Sequence, residues 1–229
     1  MRKLVLFDID GTLVLTGGAG LRAMNRACAD IAGNAEALQD IPVAGRTDRV
    51  ILSDVVGRLG RILDDHLLDH LRERYLLHLR EEIEGPGRGV KSVMPGVREL
   101  LEALASREDV FLGLLTGNFE EGARIKLEHF DLWRYFRCGA FADDAADRNA
   151  LVPYAWERAR RLGLPELAAQ HTLVVGDTPH DIACARAVGA TAIGVATGGS
   201  SVAQLHAAGA DVVFDDLTDR ERFLELLDR

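Results

Sequence analysis

The chain has 229 residues, of which 48% are hydrophobic and 28% charged. That is an ordinary globular composition, long enough for one large domain or one domain carrying a smaller one. Its 27 basic and 36 acidic residues leave a net charge of −9, and no Lys/Arg cluster offsets it, which argues against nucleic acid and anionic lipid as partners.

The first apolar run, Leu4–Phe7, reads as a buried strand and ends in Asp8-Ile9-Asp10-Gly11-Thr12. It is too short for a signal peptide, and no stretch reaches the roughly 20 apolar residues of a membrane span. Cys28, Cys138 and Cys184 are widely separated, with neither a disulfide nor a zinc pattern. A soluble, cytoplasmic protein is the expectation. From Leu15 to Gly85 no strand is apparent, and Leu21–Ile31, Asp48–Leu59 and Asp64–Ile83 read as helices. Gly85-Pro86-Gly87-Arg88-Gly89 reads as a linker, and Pro95-Gly96 opens the next helix.

From there strands and helices alternate. Val110–Leu115 ends in Thr116-Gly117-Asn118 and precedes a helix over Phe119–Phe130. Cys138–Phe141 and a helix over Leu151–Leu162 follow. Thr172–Val175 ends in Gly176-Asp177-Thr178-Pro179-His180-Asp181, and Asp181–Val188 reads as a helix capped by Gly189. Ala192–Val195, a helix over Gly198–Ala208, and Val212–Phe214 complete the pattern. The expected fold is α/β, a doubly wound, mainly parallel, Rossmann-like sheet, with an all-helical cap inserted after the first strand. The expected boundaries are 1–14 and 86–229 for the core and 15–85 for the cap, with hinges near Leu13–Gly20 and Glu84–Val93.

In open parallel sheets ligands bind beyond the carboxyl ends of the strands. Three such ends here carry polar residues. Each alone would pass as turn and cap chemistry; a doubly wound sheet can bring all three to one crevice. Asp8, Asp10 and Asp177 then form a site for a hard cation. Two like charges 4 Å apart cost about 4 kcal/mol at an effective dielectric of 20, which a divalent ion removes. Magnesium suits such a site, because it accepts one or two carboxylates plus substrate phosphate. A calcium-binding EF-hand loop fails, because Thr12 stands at its fifth position and no Glu closes it at its twelfth.

"DIDGT", a strand ending in "TGN", and "GDTPHD", in that order, resemble the haloacid dehalogenase superfamily across essentially the whole chain. The insert after the first strand resembles its helical cap type, and the chain is similar to phosphoglycolate-phosphatase-like and β-phosphoglucomutase-like members. The resemblance implies a magnesium-dependent phosphatase acting on a small phosphorylated metabolite, as a monomer or homodimer. Asp8 would be the nucleophile and Asp10 the general acid and base. Magnesium would be held by the Asp8 carboxylate, the Asp10 backbone carbonyl and Asp177, with Asp181 behind them. Gly11, Thr116, Gly117 and Asn118 would face the phosphoryl group.

One part of the pattern departs. Relatives carry a Lys-Pro pair before the "GD" strand, where this chain has Asp147-Arg148-Asn149-Ala150. Arg148 is the favoured cation to pair with phosphate and Asp8, the alternative being a partner of Asp143, Asp144 or Asp147; Lys126, about two helical turns beyond "TGN", is its rival, the alternative being a solvent-facing residue. In the cap, Arg46, Thr47 and Asp48 of "GRTD" either face the substrate or cap a helix. A haloacid dehalogenase is disfavoured by the intact Asp-x-Asp, and a phosphonatase by the absence of lysine from 15–85. A phosphomutase and a non-catalytic phospho-ligand sensor remain as alternatives.

Overall fold

The computed structural model describes residues 2–33, 36–164 and 169–228; Met1 and Arg229, at the ends of the expected core, lie outside them. The chain opens with β1 (Lys3–Phe7) and β2 (Val14–Thr16), then three helices, α1 (Ala19–Ala32), α2 (Asp48–Arg58) and α3 (Asp65–Glu84). β3 (Lys91–Val93) and α4 (Val97–Ala105) follow. The remainder alternates as β4 (Val110–Leu115), α5 (Glu120–His129), β5 (Cys138–Ala140), α6 (Leu151–Arg161), β6 (Thr172–Gly176), α7 (Pro179–Val188), β7 (Thr191–Val195), α8 (Val202–Ala207), β8 (Val212–Phe214) and α9 (Arg220–Leu227).

Six strands form one parallel sheet in the order β5-β4-β1-β6-β7-β8. β1 is central because its residues are apolar on both faces, so only a position with a neighbour on each side and helices above and below satisfies it. Phe7 lies level with Leu114 of β4 and Val175 of β6. The strand order reverses at β1, so the tips of β1, β4 and β6 border one crevice. Alternation along the strands supplies two cores. Val5, Phe7, Leu114 and Val175 pack with α4 and α9, and Leu4, Leu6, Leu115 and Val174 with α6 and α7.

A separate apolar cluster joins α1, α2 and α3, including Met24, Leu52, Leu71 and Tyr75, and takes in Phe119, which caps α5, and Ile125 within it. The helical segment therefore rests on the polar ends of the strands and the start of α5, above the crevice.

Four expectations need correction. First, Val14–Thr16 and Lys91–Val93 pair as an antiparallel ribbon, Leu15 opposite Ser92, where only linkers were read. Three-residue strands show too little alternation to register as a pattern. Second, α7 begins at Pro179 rather than Asp181, because Thr178 caps it and Asp181 closes the capping box from its third position. Third, α8 begins at Val202, where Ser201 caps it, so Gly198 and Gly199 lie in a turn instead of a helix. Fourth, α9 had no counterpart in the sequence reading.

Candidate active site

Asp8 continues the line of β1, its amide donating to the Val175 carbonyl at 2.9 Å, and its side chain is buried. Beyond it the chain turns sharply. Gly11 has φ +86°, and a Cβ there would stand 2.6 Å from Asp177 Oδ2. A Cβ on Gly198 would stand 1.6 Å from the same oxygen. Both positions require glycine, the first for its left-handed backbone as well, because the Asp177 carboxylate is wedged against the main chain. Thr12 Oγ1 donates to Asp177 Oδ1 at 3.1 Å, and Thr197 Oγ1 donates to the Gly11 carbonyl at 2.6 Å. Thr12, Thr197 and Gly198 had no assigned part in the sequence reading. The only signal for the last two was a Gly-Gly pair following an apolar run.

Two polar networks occupy the crevice. In the first, Arg148 Nη2 lies 3.0 Å from Asp8 Oδ1 and also bonds Asp181 Oδ1. Asp181 Oδ2 accepts from the Thr178 amide at 2.9 Å and its hydroxyl at 2.7 Å. In the second, Lys126 Nζ donates to Asp10 Oδ1 at 2.9 Å, Asp10 Oδ2 at 2.7 Å and Asn118 Oδ1 at 2.6 Å. Asn118 Nδ2 donates to Asp10 Oδ2 at 2.9 Å and to Thr116 Oγ1 at 2.7 Å. Both cations are buried. Arg148 therefore does not pair with Asp143, Asp144 or Asp147, and Lys126 does not face solvent. Each holds one of the two aspartates of the first motif.

The acids differ in electrostatics. Burial pushes Asp8 up from the usual carboxylate range, against Arg148, with Asp181 and Asp10 adding repulsion. Burial also raises Asp177, helped by Asp8 and Asp181. Burial works against the charge of Arg148, but Asp181 and Asp8 more than offset it and keep the guanidinium protonated. Carboxylate oxygens of Asp8, Asp177 and Asp181 all lie within 4.8 Å of one another. The third side chain of this cluster is Asp181, where Asp10 was expected, because the Asp10 carboxylate is drawn toward Lys126. Asp181 is already committed to Arg148 and Thr178. That leaves Asp8 and Asp177 as the pair with oxygens to offer a cation. Two buried, mutually repelling carboxylates with raised pKa values fit a small divalent ion such as magnesium.

The helical segment closes the crevice from above. The Asp48 amide donates to the Gly117 carbonyl at 2.7 Å, and the Phe119 amide to Asp48 Oδ2 at 2.9 Å. Burial raises Asp48 to about 7. Thr47 is turned away from the crevice. It caps α2 through the Val50 amide and donates to the Ala146 carbonyl at 2.8 Å, which is the helix-cap alternative for "GRTD". Arg46 faces the crevice but is tied to Asp54 at 2.8 Å and to the Pro42 carbonyl at 2.9 Å. The cavity measures about 610 Å³, opens to solvent, and is walled by Asp8, Asp10, Thr116, Lys126, Arg148 and Asp177 below and the helical segment above.

A parallel sheet with carboxylates and cations gathered at its order reversal defines an α/β enzyme whose active site is that crevice. The chain belongs to the haloacid dehalogenase-like hydrolases, whose family model matches residues 2–189. It is similar to a phosphoglycolate phosphatase of Agrobacterium fabrum, 32% identical over 94% of this chain and 89% of that one. It is also similar to a phosphoglycolate phosphatase of Rhodospirillum rubrum, 34% identical over 94% of this chain and 88% of that one. Among solved structures, a hydrolase from Pseudomonas syringae shares the fold with a TM-score of 0.69 at 23% identity, over 98% of each chain.

Proposed function

We propose that the protein is a magnesium-dependent phosphatase of small phosphomonoesters, acting through a phosphorylated Asp8. The observation that carries this reading is the contrast between the two aspartates of "DIDGT". Asp8 is buried, fixed by Arg148 and close to Asp177. Asp10, two residues on, is 44% exposed at its side chain and faces the cavity. Nucleophile and proton carrier need those opposite environments.

In this reading an Asp8 oxygen forms a bond to phosphorus as the ester P–O bond breaks, and Asp10 gives its proton to the departing alcohol. Asp10 then takes a proton from a water that attacks the phosphorus, and Asp8 leaves as a free carboxylate. Magnesium, held by Asp8 and Asp177 with the Asp10 carbonyl, would shield the negative charges that meet in both steps. Arg148 fixes Asp8 and supplies positive charge to the phosphoryl oxygens, and Asp181 orients Arg148. Lys126 and Asn118 fix Asp10. The Thr116 hydroxyl proton, used in neither of the bonds that Thr116 accepts from Asn118, and the Gly117 amide would donate to the phosphoryl oxygens. Residues 15–85 would act as a cap, hinged where the β2–β3 ribbon ties its two ends together, and 1–14 with 86–229 as the core.

The test is phosphate release from p-nitrophenyl phosphate or acetyl phosphate. Release that needs magnesium and disappears in Asp8→Asn supports the reading. No release across a broad phosphate panel, combined with tight binding of a phosphorylated ligand, would replace it with a sensor.

A further inference from the structure

Much of the wall that the helical segment gives the cavity is apolar. Leu21 and Met24 of α1, Leu38, Val43 and Ile51 of α2 contribute apolar side chains to it. Leu21 and Val43 of this wall are 47% and 38% exposed, large hydrophobic side chains that the fold leaves partly uncovered. An apolar side chain facing a cavity gains by contact with an apolar ligand, because both surfaces then leave water.

Several polar groups of the same wall are already engaged. Arg46 is bonded to Asp54, Asp48 accepts from the Phe119 amide, and Lys126 and Asn118 hold Asp10. A sugar or polyol phosphate brings several hydroxyls that must find partners or be stripped of water at a cost. A two-carbon phospho-acid would leave most of the 610 Å³ unfilled, and its carboxylate would have to reach Arg88, an exposed cation lining the rim.

We propose that the site takes phosphomonoesters whose alcohol carries an aliphatic or aromatic body, with Leu21 and Val43 as specificity residues that contact this body. The inference rests on the phosphatase reading for the orientation of the ligand, phosphate toward Asp8 and body toward α1 and α2. It departs from the two-carbon acid that the names of the relatives denote.

A ladder of methyl-, butyl- and hexylphosphonate, titrated into the protein with magnesium chloride and followed by calorimetry, tests it without turnover. Affinity should rise by about two- to fourfold per added methylene, the scale of burying one CH₂ in an apolar site. The double substitution Leu21→Ser, Val43→Ser should flatten the ladder while leaving the melting temperature within a few degrees, since both side chains are already exposed. A flat or falling ladder overturns the proposal, as does phosphonoacetate or a polyol phosphonate binding more tightly than hexylphosphonate. A rising ladder with no phosphate released from any ester would remove the phosphatase reading and leave the apolar subsite standing. Turnover with a flat ladder would do the reverse.

Discussion

The Asp8–Arg148 pair and the Asp10–Lys126 pair lie on the two sides of one crevice, and their surroundings are opposite. Asp8 and Arg148 are each 7% exposed at their side chains, and Arg148 is shared with the fully enclosed Asp181. Lys126 is enclosed too, but its partner Asp10 is 44% exposed. The first pair is dry and held from several sides, and the second is wet on its acidic side. A buried pair broken at one partner leaves a charge with nothing to solvate it, whereas a half-exposed acid turns to water. The comparison separates a group that must keep its position from one that must exchange protons with what enters the cavity.

Substitutions can break that contrast, beginning with the largest effect. Asp8→Asn should reduce phosphate release to background, because the amide is no nucleophile. Asp10→Asn should keep substrate binding but lower kcat by about 10²–10⁴-fold, the range of general acid–base catalysis. A steady-state assay at saturating magnesium reads both. Equal residual activity in the two variants would erase the distinction in roles.

Stability should split the same way. Arg148→Ala strands Asp8 and Asp181 and should cost about 3–5 kcal/mol in urea unfolding. Lys126→Ala leaves Asp10 to solvent, the buried Asn118 carbonyl without its donor and Asp48 without a nearby positive charge, and should cost about 1–3 kcal/mol. Equal losses would mean that the two pairs are not energetically different.

The smallest expected effect is on pH. The folded pKa of Asp48 is raised from 3.8 to about 7 by burial. Between those values the folded chain keeps a proton that the unfolded chain has lost, so stability contributed by this group is present at low pH and declines as pH rises toward 7. Asp8 and Asp177, also raised, act in the same direction. Their contribution to the metal-free melting temperature should therefore fall from pH 4 toward neutrality, while Asp30, Glu82 and Asp109, held low by their cationic partners, pull the other way. Magnesium should restore the part due to Asp8 and Asp177, with tighter binding as pH rises because the ion displaces protons. Asp48→Asn should remove the part due to Asp48.

Much of this site was legible in the sequence because turn residues follow buried apolar runs, and a parallel sheet collects such ends. That reasoning reaches Asp8, Thr116, Asp177 and Asp181 directly. It does not reach Thr197 and Gly198, whose segment has a composition compatible with an early start to α8. Arg148 was expected near Asp8 and is found there, but Lys126 could not be placed on Asp10, because helical spacing gives the height of a cation along its axis and not the acid toward which it bends. The Asp10 side chain was expected beside Asp8 and Asp177 for the same reason. Two acids one residue apart look equivalent in sequence, and only the positions of Lys126 and Asn118 draw Asp10 aside. The β2–β3 ribbon escaped notice because its pairing spans the whole helical segment, from Val14 to Val93.

The central claim is that Asp8, and no other carboxylate in the crevice, takes the phosphoryl group. Brief mixing with acetyl phosphate and magnesium, reductive trapping with borohydride and peptide mass spectrometry test it directly, since an aspartyl phosphate is reduced to homoserine. The account predicts homoserine at position 8, dependent on magnesium and absent from Asp8→Asn. Sustained phosphate release with residue 8 still aspartate, or trapping at another carboxylate, would contradict it.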